Sequence, residues 1–244
     1  MQNYLLKLRF DGAPFCGWQA QPNGPTVQDA LEQAILRVTG QPVRVTGCSR
    51  TDAGVHAREF YCNFHCDTRV SIERLPAALN AWLPQQIAVL GCFEAAPDFN
   101  ARFDCRAKTY RYHILNAPAR DPFLLRRALL ERRPLDEVML ARQAEAFVGT
   151  HDFVSFCAAG GSAKTSMRTV SRFDVLREGD EVYFFVRADG FLYHMVRIMV
   201  GTLLEIARGR LPNGSIPGIL AARDRGRAGA TAPAEGLMLW EVEY

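Results

Sequence analysis

The chain of 244 residues lacks any apolar run approaching the roughly 20 residues that a membrane-spanning helix needs. Nothing in it resembles a signal peptide. The first residues, MQNYLLKLRF, alternate polar and apolar side chains and so predict a strand at once. With 48% apolar residues, the chain is long enough for one large domain or two modest ones. We therefore expect a soluble, cytoplasmic protein that does not bind a membrane.

Closely paired cysteines are also missing. The seven cysteines are an odd number, and no C-x-x-C occurs; the tightest group is Cys62 and Cys66 around His65. Thiolate and imidazole ligands would suit zinc. In a strand, however, alternate residues point to opposite faces, so His65 would point away from both cysteines. We favour a buried strand face over a metal site, and we expect no disulfides in this compartment.

Lysine is scarce, because 26 of the 29 basic residues are arginine. A net charge of +3 does not by itself indicate a nucleic-acid partner. Arginine offers a flat, bidentate fork for phosphate and can stack on bases. Because a biased genomic base composition explains the same excess equally well, the arginines give RNA binding only weak support.

The apolar periodicity predicts the same order of elements twice. In the first half it predicts strands at 3–10, 42–48, 57–66 and 86–94, a helix at 26–38 capped by Thr26, and a helix at 71–83 capped by Ser71. In the second half it predicts strands at 107–116, 167–178, 181–188 and 237–244, and helices at 136–149 and 190–209. Each order is β-α-β-β-α-β, the ferredoxin-like pattern.

This repeat predicts an α+β fold of two ferredoxin-like halves, with mainly antiparallel sheets flanked by helices. We place the first half at 1–105 and the second at 106–244, with an active-site cleft between them. No flexible linker separates the halves. In the second predicted helix of the first half, Ile72, Leu75, Leu79 and Trp82 share one face.

The loop CSRTDAGVHA (48–57) joins two predicted strands and carries one carboxylate, Asp52. Arg50, His56 and Arg58 lie close to it in sequence. A neighbouring arginine favours the charged form of a carboxylate, so Asp52 could serve as a nucleophile. The alternative is a plain Asp-Ala-Gly turn, in which Asp52 caps backbone N–H groups. The loop alone favours the turn.

The second half supplies possible partners for Asp52. Strand alternation puts Arg106, Lys108, Tyr110 and Tyr112 on one face. That face would suit either base stacking with phosphate contacts or a solvated outer surface of the sheet. In the helix at 190–209, Arg197 lies off the buried stripe of an unusually apolar helix. A guanidinium in those surroundings needs a carboxylate partner, and Asp52 is the natural candidate.

Seven strings occur in an order that resembles the tRNA pseudouridine synthase A family over almost the whole length. They are FDGAPFCGWQAQPNGPTVQDALE, CSRTDAGVHA, LNAWLP, ARFDCRAKTYRYHI, GTHDFVSF, DGFLYHMVRIMVG and APAEGLMLWEV. The resemblance implies a synthase that isomerises uridine at positions 38 to 40 of the tRNA anticodon stem-loop. It also implies a homodimer that works without metal or organic cofactor.

The resemblance further implies residue roles. Asp52 falls on the catalytic aspartate, Tyr110 on the active-site tyrosine, and Arg197 on the basic residue that pairs with the aspartate. Arg50 matches the arginine that helps to hold the flipped-out nucleotide. We assign further RNA contacts to Arg58, Arg102, Arg106, Lys108 and Arg168. Whether Asp52 attacks C1′ or removes a ribose proton to give a glycal stays open.

Three places depart from the family pattern: Asn100, where histidine is common; Gln86, where an acidic residue is common; and the segment 161–168, which lacks a Cys-Gln pair and a proline. Two other functions are weaker alternatives. A non-catalytic RNA-binding module of the RRM type would need an RNP1 signature, which is missing. A zinc-dependent nucleobase deaminase would need H-x-E and P-C-x-x-C, but His56 and Glu59 are one position too far apart and no P-C-x-x-C exists.

Overall fold

The computed structural model describes residues 1–161 and 163–244. Ser162, inside the segment 161–168 that departs from the family pattern, lies outside the described residues. In chain order the strands and helices are β1 (Gln2–Phe10), α1 (Val27–Thr39), β2 (Thr46–Gly47), β3 (His56–Cys66), α2 (Leu75–Asn80), β4 (Ile87–Ala95), β5 (Ala107–Leu115), β6 (Leu129–Leu130), α3 (Glu137–Ala144), β7 (Gly149–Asp152), β8 (Met167–Glu178), β9 (Glu181–Ala188), α4 (Met195–Ala207), α5 (Ile216–Ala222) and β10 (Leu237–Glu243).

The chain divides into two compact units, Met1–Arg106 with Met238–Tyr244, and Ala107–Leu237. The last strand was predicted to close the second half. It belongs mostly to the first unit, because Met238 and Leu239 of β10 pair in parallel with His56 and Ala57 of β3. The predicted α+β class, with mostly antiparallel strands and flanking helices, is confirmed.

The sheet of the first unit has the strand order β4-β1-β3-β10, with β2 attached to β3. Strand β1 runs antiparallel to both β3 and β4. Alternate residues of β3, namely Phe60, Cys62, Phe64 and Cys66, are buried, while His65 is exposed. The imidazole Nε2 of His65 lies 2.9 Å from the carbonyl oxygen of Pro97. The predicted strand is therefore confirmed, and the two cysteines belong to the core.

Helix α1 begins where its sequence predicts. The hydroxyl of Thr26 accepts a hydrogen bond from the backbone N–H of Asp29, which satisfies one of the free donors at the helix start. Val27, Leu31, Ala34 and Ile35 are buried along one stripe. Gly40 ends the helix with φ of 74° and donates its N–H to the carbonyl of Leu36.

The second helix of the first unit is shorter than predicted. Helix α2 begins after Arg74 rather than after Ser71, and its first turn contains Pro76, which fits only at a helix start. Trp82 was predicted to share a face of this helix with Leu75 and Leu79, which is wrong, because it lies beyond the end of the helix. The helix ends at Asn80, and the indole is 57% exposed with the guanidinium of Arg37 stacked 5.3 Å from its centroid. Similarly, only Thr46 and Gly47 of the predicted strand 42–48 pair with a neighbour.

The sheet of the second unit has the order β5-β9-β8-β7, and β6 pairs in parallel with the last two residues of β5. Strands β8 and β9 form the predicted hairpin, in which Glu178 pairs with Glu181 across Gly179 and Asp180. Gly179 has φ of 61°, a conformation that suits glycine in a tight turn. The apolar helix α4 begins at Met195, five residues later than predicted, because residues 190–194 form a turn in which His194 has φ of 60°.

Candidate active site

The loop between β2 and β3 carries Asp52, and the segment 11–18 holds it in place. The N–H of Trp18 donates to the carbonyl of Thr51 (3.1 Å), and the N–H of Gly54 donates to the carbonyl of Phe15 (3.2 Å). Within the loop, the N–H of Val55 donates to the carbonyl of Asp52 (3.1 Å). The backbone of the loop therefore turns between Asp52 and Val55, and the capping role of the Asp52 side chain stays a prediction. Asp52 is partly exposed on this hydrogen-bonded loop.

Two glycines allow the segment 11–18 to approach this loop so closely. A Cβ at Gly12 would lie 1.9 Å from the carbonyl oxygen of Val55, and a Cβ at Gly17 would lie 2.5 Å from that of Thr51. Gly17 also has φ of 90°, which side chains rarely adopt. These contacts bind the strings FDGAPFCGW and RTDAGV into one structure, although some forty residues separate them in the sequence.

The residues that suggested a deaminase do not form a site together. The buried His56 accepts a hydrogen bond at Nδ1 from the N–H of Gly12 (3.1 Å). Glu59 lies three positions further along β3 and pairs with Lys7 at 2.5 Å. An odd spacing puts two strand residues on opposite faces. Among residues 1–161 and 163–244, no three His, Cys, Asp or Glu side chains are grouped closely enough to hold a metal ion.

Four of the arginines that we assigned to RNA contacts belong to the first unit. Arg50 is exposed, and Arg102 is half-buried. Burial, and then the charge of Arg50, lowers the pKa of Arg102. The exposed Arg58 stacks 4.2 Å from the indole centroid of Trp240 on β10. Arg106 is exposed, and its backbone N–H donates to the carbonyl of Glu243 (2.8 Å).

In the second unit, β5 carries Lys108, Tyr110 and Tyr112. Tyr112 contradicts both predictions for this face, because it is fully buried and its hydroxyl donates to the carbonyl of Pro233 (2.8 Å). Burial raises the pKa of this phenol, which therefore stays protonated. One end of a strand can be buried in the core while charged residues at its other end remain partly exposed. Lys108 is partly exposed, and Tyr110 is only 6% exposed.

Phe191 was missed in the sequence, although it supports the predicted catalytic tyrosine. Its ring meets that of Tyr110 edge to face, with centroids 5.0 Å apart and an angle of 89°. Such pairs stabilise a fixed ring orientation. The available signal was the string Gly-Phe-Leu-Tyr-His before α4, where an aromatic sits in a turn rather than on the helix.

Arg197 lies in the first turn of α4 and is partly buried. Its Nε donates to the carbonyl of Ala232 (2.8 Å), and its own carbonyl accepts the N–H of Ala232 (3.0 Å). At Gly201, one turn later, a Cβ would lie only 1.8 Å from the carbonyl oxygen of Ala230, so a larger residue does not fit there. Helix α4 therefore fixes both Arg197 and the segment 230–232. The ion pair between Arg197 and Asp52 stays a prediction.

Arg168, the last predicted RNA contact, lies at the start of β8. Its guanidinium donates to the carbonyl oxygens of Thr165 (3.0 Å) and Met167 (2.5 Å). A Cβ at Gly190 would lie 3.4 Å from its Nε, so the side chain lies beside the turn that leads to α4. Arg168 therefore contributes positive charge near the turn that also carries Phe191.

The chain matches the model of a protein family described as tRNA pseudouridine synthase, over residues 8–104 and 143–244. It is similar to proteins named tRNA pseudouridine synthase A in several bacteria. The identity is 50% with that of Moorella thermoacetica, over 98% of both chains, and 45% with that of Brevibacillus brevis, over the full length of both. It is 44% with that of Acetivibrio thermocellus, again over both full lengths.

The family match includes the loop with Asp52 and the helix with Arg197, while Tyr110 lies between the two matched ranges. The relatives cover all three positions, since their similarity extends over essentially the whole chain. No helix in the described part of the chain is both long and apolar enough to cross a membrane. By its length, order of motifs and similarity, the chain belongs to the tRNA pseudouridine synthase family.

Proposed function

We propose that this protein isomerises uridine to pseudouridine at positions 38 to 40 of the tRNA anticodon stem-loop, with Asp52 acting at the ribose. The observation that carries the proposal is the RTDAG loop, in which two close glycine contacts and two backbone hydrogen bonds hold a partly exposed carboxylate. Family membership favours the isomerase over an RNA-binding module or a deaminase.

The reaction breaks the N1–C1′ glycosidic bond, turns the uracil and joins C5 to C1′. The C5 proton is then lost and N1 gains a proton, so the product is an isomer of the substrate. Bond breaking puts positive character on the ribose, as in glycoside hydrolysis, and an adjacent carboxylate stabilises or traps that charge. One carboxylate is enough, because no water has to be activated.

The target base must first leave its stack, which costs a few kcal/mol. Polar and stacking contacts in the pocket offset that cost. In our proposal Arg50 holds the flipped nucleotide and the Tyr110 ring, fixed by Phe191, packs against the base. Tyr110 is also the candidate to take the C5 proton, directly or through water. Arg197 favours the ionised form of Asp52 by pairing with it.

The other predicted RNA contacts, Arg58, Arg102, Arg106, Lys108 and Arg168, would bind phosphates without reading sequence. We further propose that the protein acts in the cytoplasm as a homodimer and that it uses no metal or organic cofactor. These statements rest on the family resemblance and on composition.

Site-resolved mapping of pseudouridine tests the proposed positions. Three unmodified tRNA transcripts, each with a single anticodon-arm uridine at position 38, 39 or 40, are incubated with the protein, and pseudouridine is located by carbodiimide modification and primer extension. We expect a new stop at the uridine in each transcript. A control transcript has its only anticodon-arm uridine at position 33 and should stay unmodified. Modification at 33 alone would contradict the proposed site.

A further inference from the structure

The turn at residues 100–104 presents an unusually exposed phenylalanine from an ordered support. Phe103 is 76% exposed, among the highest values for a large apolar side chain in this unit. The side-chain oxygen of Asn100 accepts the N–H groups of Arg102 (3.0 Å) and Phe103 (3.2 Å), and Asp104 accepts the N–H of Asn100 (2.7 Å). Asn100, which departs from the family pattern, is therefore the residue that caps this turn.

Buried asparagines fix the chain that leads into the turn. Asn63 accepts the N–H of Ala101 (2.9 Å) and donates to Asn3 (3.0 Å), and Asn3 donates to the carbonyl of Phe99 (3.0 Å). The hydroxyl of Tyr244 donates to the carbonyl of Ala101 (2.7 Å). The exposure of Phe103 is therefore built into the fold and is not the result of a loose loop.

A cation accompanies this ring. The guanidinium of Arg102 lies 5.5 Å from the centroid of Phe103. Burial, and then the charge of Arg50, lowers the pKa of Arg102. An anion bound at Arg102 would offset this effect of a like charge. Arg50 also lies two residues from Asp52, in the same unit as Arg102 and Phe103.

We propose that Arg102 and Phe103 form a nucleotide platform, on which Phe103 stacks an unpaired base of the tRNA and Arg102 holds its phosphate. Exposed aromatic rings beside cations are the usual means of holding single-stranded RNA, because every base has a face that can stack. The platform rests on the proposed function, since it names where that substrate is held. Its base is a neighbour of the target, which occupies the site at Asp52.

Kinetics with unmodified tRNA test the platform. We expect Phe103→Ala to raise KM and Kd for tRNA about tenfold, the scale of one lost base stack, while kcat stays within about twofold. Phe93→Ala is the matched control, because Phe93 is an exposed phenylalanine of the same unit, 49% exposed on β4. It should leave KM and Kd unchanged. Unchanged KM and Kd in Phe103→Ala would overturn the proposal.

A fluorescent variant gives a readout that a merely structural role would not move. Phe103→Trp should keep a wild-type KM, and tRNA should quench its indole emission beyond the quenching seen in the wild type, which has three tryptophans. Inorganic phosphate at the same ionic strength supplies the anion without a base and should not quench it. Equal quenching by phosphate, or none by tRNA, would overturn base stacking.

Arg102→Gln tests the phosphate contact separately. It should weaken tRNA binding and reduce the slope of log Kd against log salt concentration by about one phosphate contact. An unchanged slope would remove Arg102 from the platform. These binding measurements do not depend on turnover. A wild-type protein that binds tRNA on Phe103 but makes no pseudouridine would therefore contradict the proposed function and leave the platform standing.

Discussion

Arg197 is fixed through both its side chain and its backbone to one neighbour, Ala232. Its Nε donates a hydrogen bond to the carbonyl of Ala232 at 2.8 Å, which orients the guanidinium plane. A lysine could not hold this orientation, because its ammonium is a single point charge on a flexible stem. The orientation of the cation, and not only its charge, is therefore what the structure preserves at this position.

Arg197→Lys should lower turnover about 10- to 100-fold, since a hydrogen bond to a charged group contributes about 1.5–3 kcal/mol. Binding of tRNA should change little. Single-turnover rates measure the effect. Arg225→Lys is the matched control, because the Arg225 guanidinium also donates to loop atoms of this segment, the carbonyl of Gly229 (3.0 Å) and the hydroxyl of Thr231 (3.2 Å). It should affect stability more than turnover. A wild-type rate in Arg197→Lys would show that orientation is unimportant.

Glu131 gives a residue-scale prediction for stability. It is buried, and it accepts hydrogen bonds from the Nε of Arg208 (3.0 Å) and the N–H of Arg133 (3.0 Å). Burial acts to raise the pKa of this carboxyl, but these bonds outweigh burial and the net pKa is lowered. A lowered pKa means that the ionised form stabilises the fold above the unfolded value near 4.3. That stability is lost as the pH falls through the folded value.

Glu131→Gln should therefore lower the free energy of unfolding by about 1–3 kcal/mol at pH 7, with a smaller difference at pH 3. Urea denaturation at both pH values measures it. Glu137→Gln is the control, because Glu137 makes a comparable pair with Arg177 (2.8 Å) at the surface and should contribute little. Equal losses at pH 7 and pH 3 would argue against an ionic role for Glu131.

At the scale of elements, the sequence predicted correctly those parts of the fold that depend on contacts between residues close together in the chain. The cap at Thr26 and the hairpin at Gly179 depend on neighbours within four residues, and both were predicted correctly. Helix α2 was overestimated because Pro76 and the early end at Asn80 override the apolar spacing that includes Trp82. Strands of two residues, such as β6, carry no periodicity of their own.

The candidate site likewise could be predicted only where local contacts determine it. The loop around Asp52 could be located from its sequence, but its clamp could not, because Gly12 and Val55 meet only through the folded sheet. Tyr112 was misplaced for a related reason. The alternation along β5 correctly groups it with Lys108, but only the tertiary structure, with the carbonyl of Pro233, shows that its end of the strand is buried.

Gly12→Ala tests the clamp as an element. A methyl group 1.9 Å from the carbonyl of Val55 must displace one of the two segments, so we expect a loss of about 1–3 kcal/mol in stability and a larger proportional loss of turnover. Gly218→Ala is the control, since a Cβ there meets nothing within 4 Å and alanine favours the helix α5. A Gly12→Ala protein that matched the wild type in both thermal unfolding and single-turnover rate would refute the clamp.

At the scale of the whole molecule, a net charge of +3 is small for a protein proposed to bind a polyanion. The proposed binding of tRNA therefore depends on where the arginines lie. Arg50, Arg58, Arg102 and Arg106 all belong to the unit that carries Asp52, and Lys108, Arg168 and Arg197 belong to the other. Both units would then contribute cations to the RNA.

Binding of tRNA should accordingly weaken steeply with salt despite the low net charge. Each phosphate contact releases condensed counterions, so log Kd should rise linearly with log salt concentration, with a slope equivalent to several contacts. Filter binding between 50 and 300 mM KCl, with Asp52→Asn protein to prevent turnover, gives the slope. A flat response would contradict the arginine footprint.

The proposed reaction depends most on Asp52, and tritium release tests the role of this residue directly. Unmodified tRNA labelled with tritium at C5 of uridine is incubated without added cofactor, because isomerisation must free that hydrogen while binding cannot. We predict that the wild-type protein releases tritium and that Asp52→Asn releases none while its Kd for tRNA stays within about threefold. Release at the wild-type rate by Asp52→Asn would contradict the central claim.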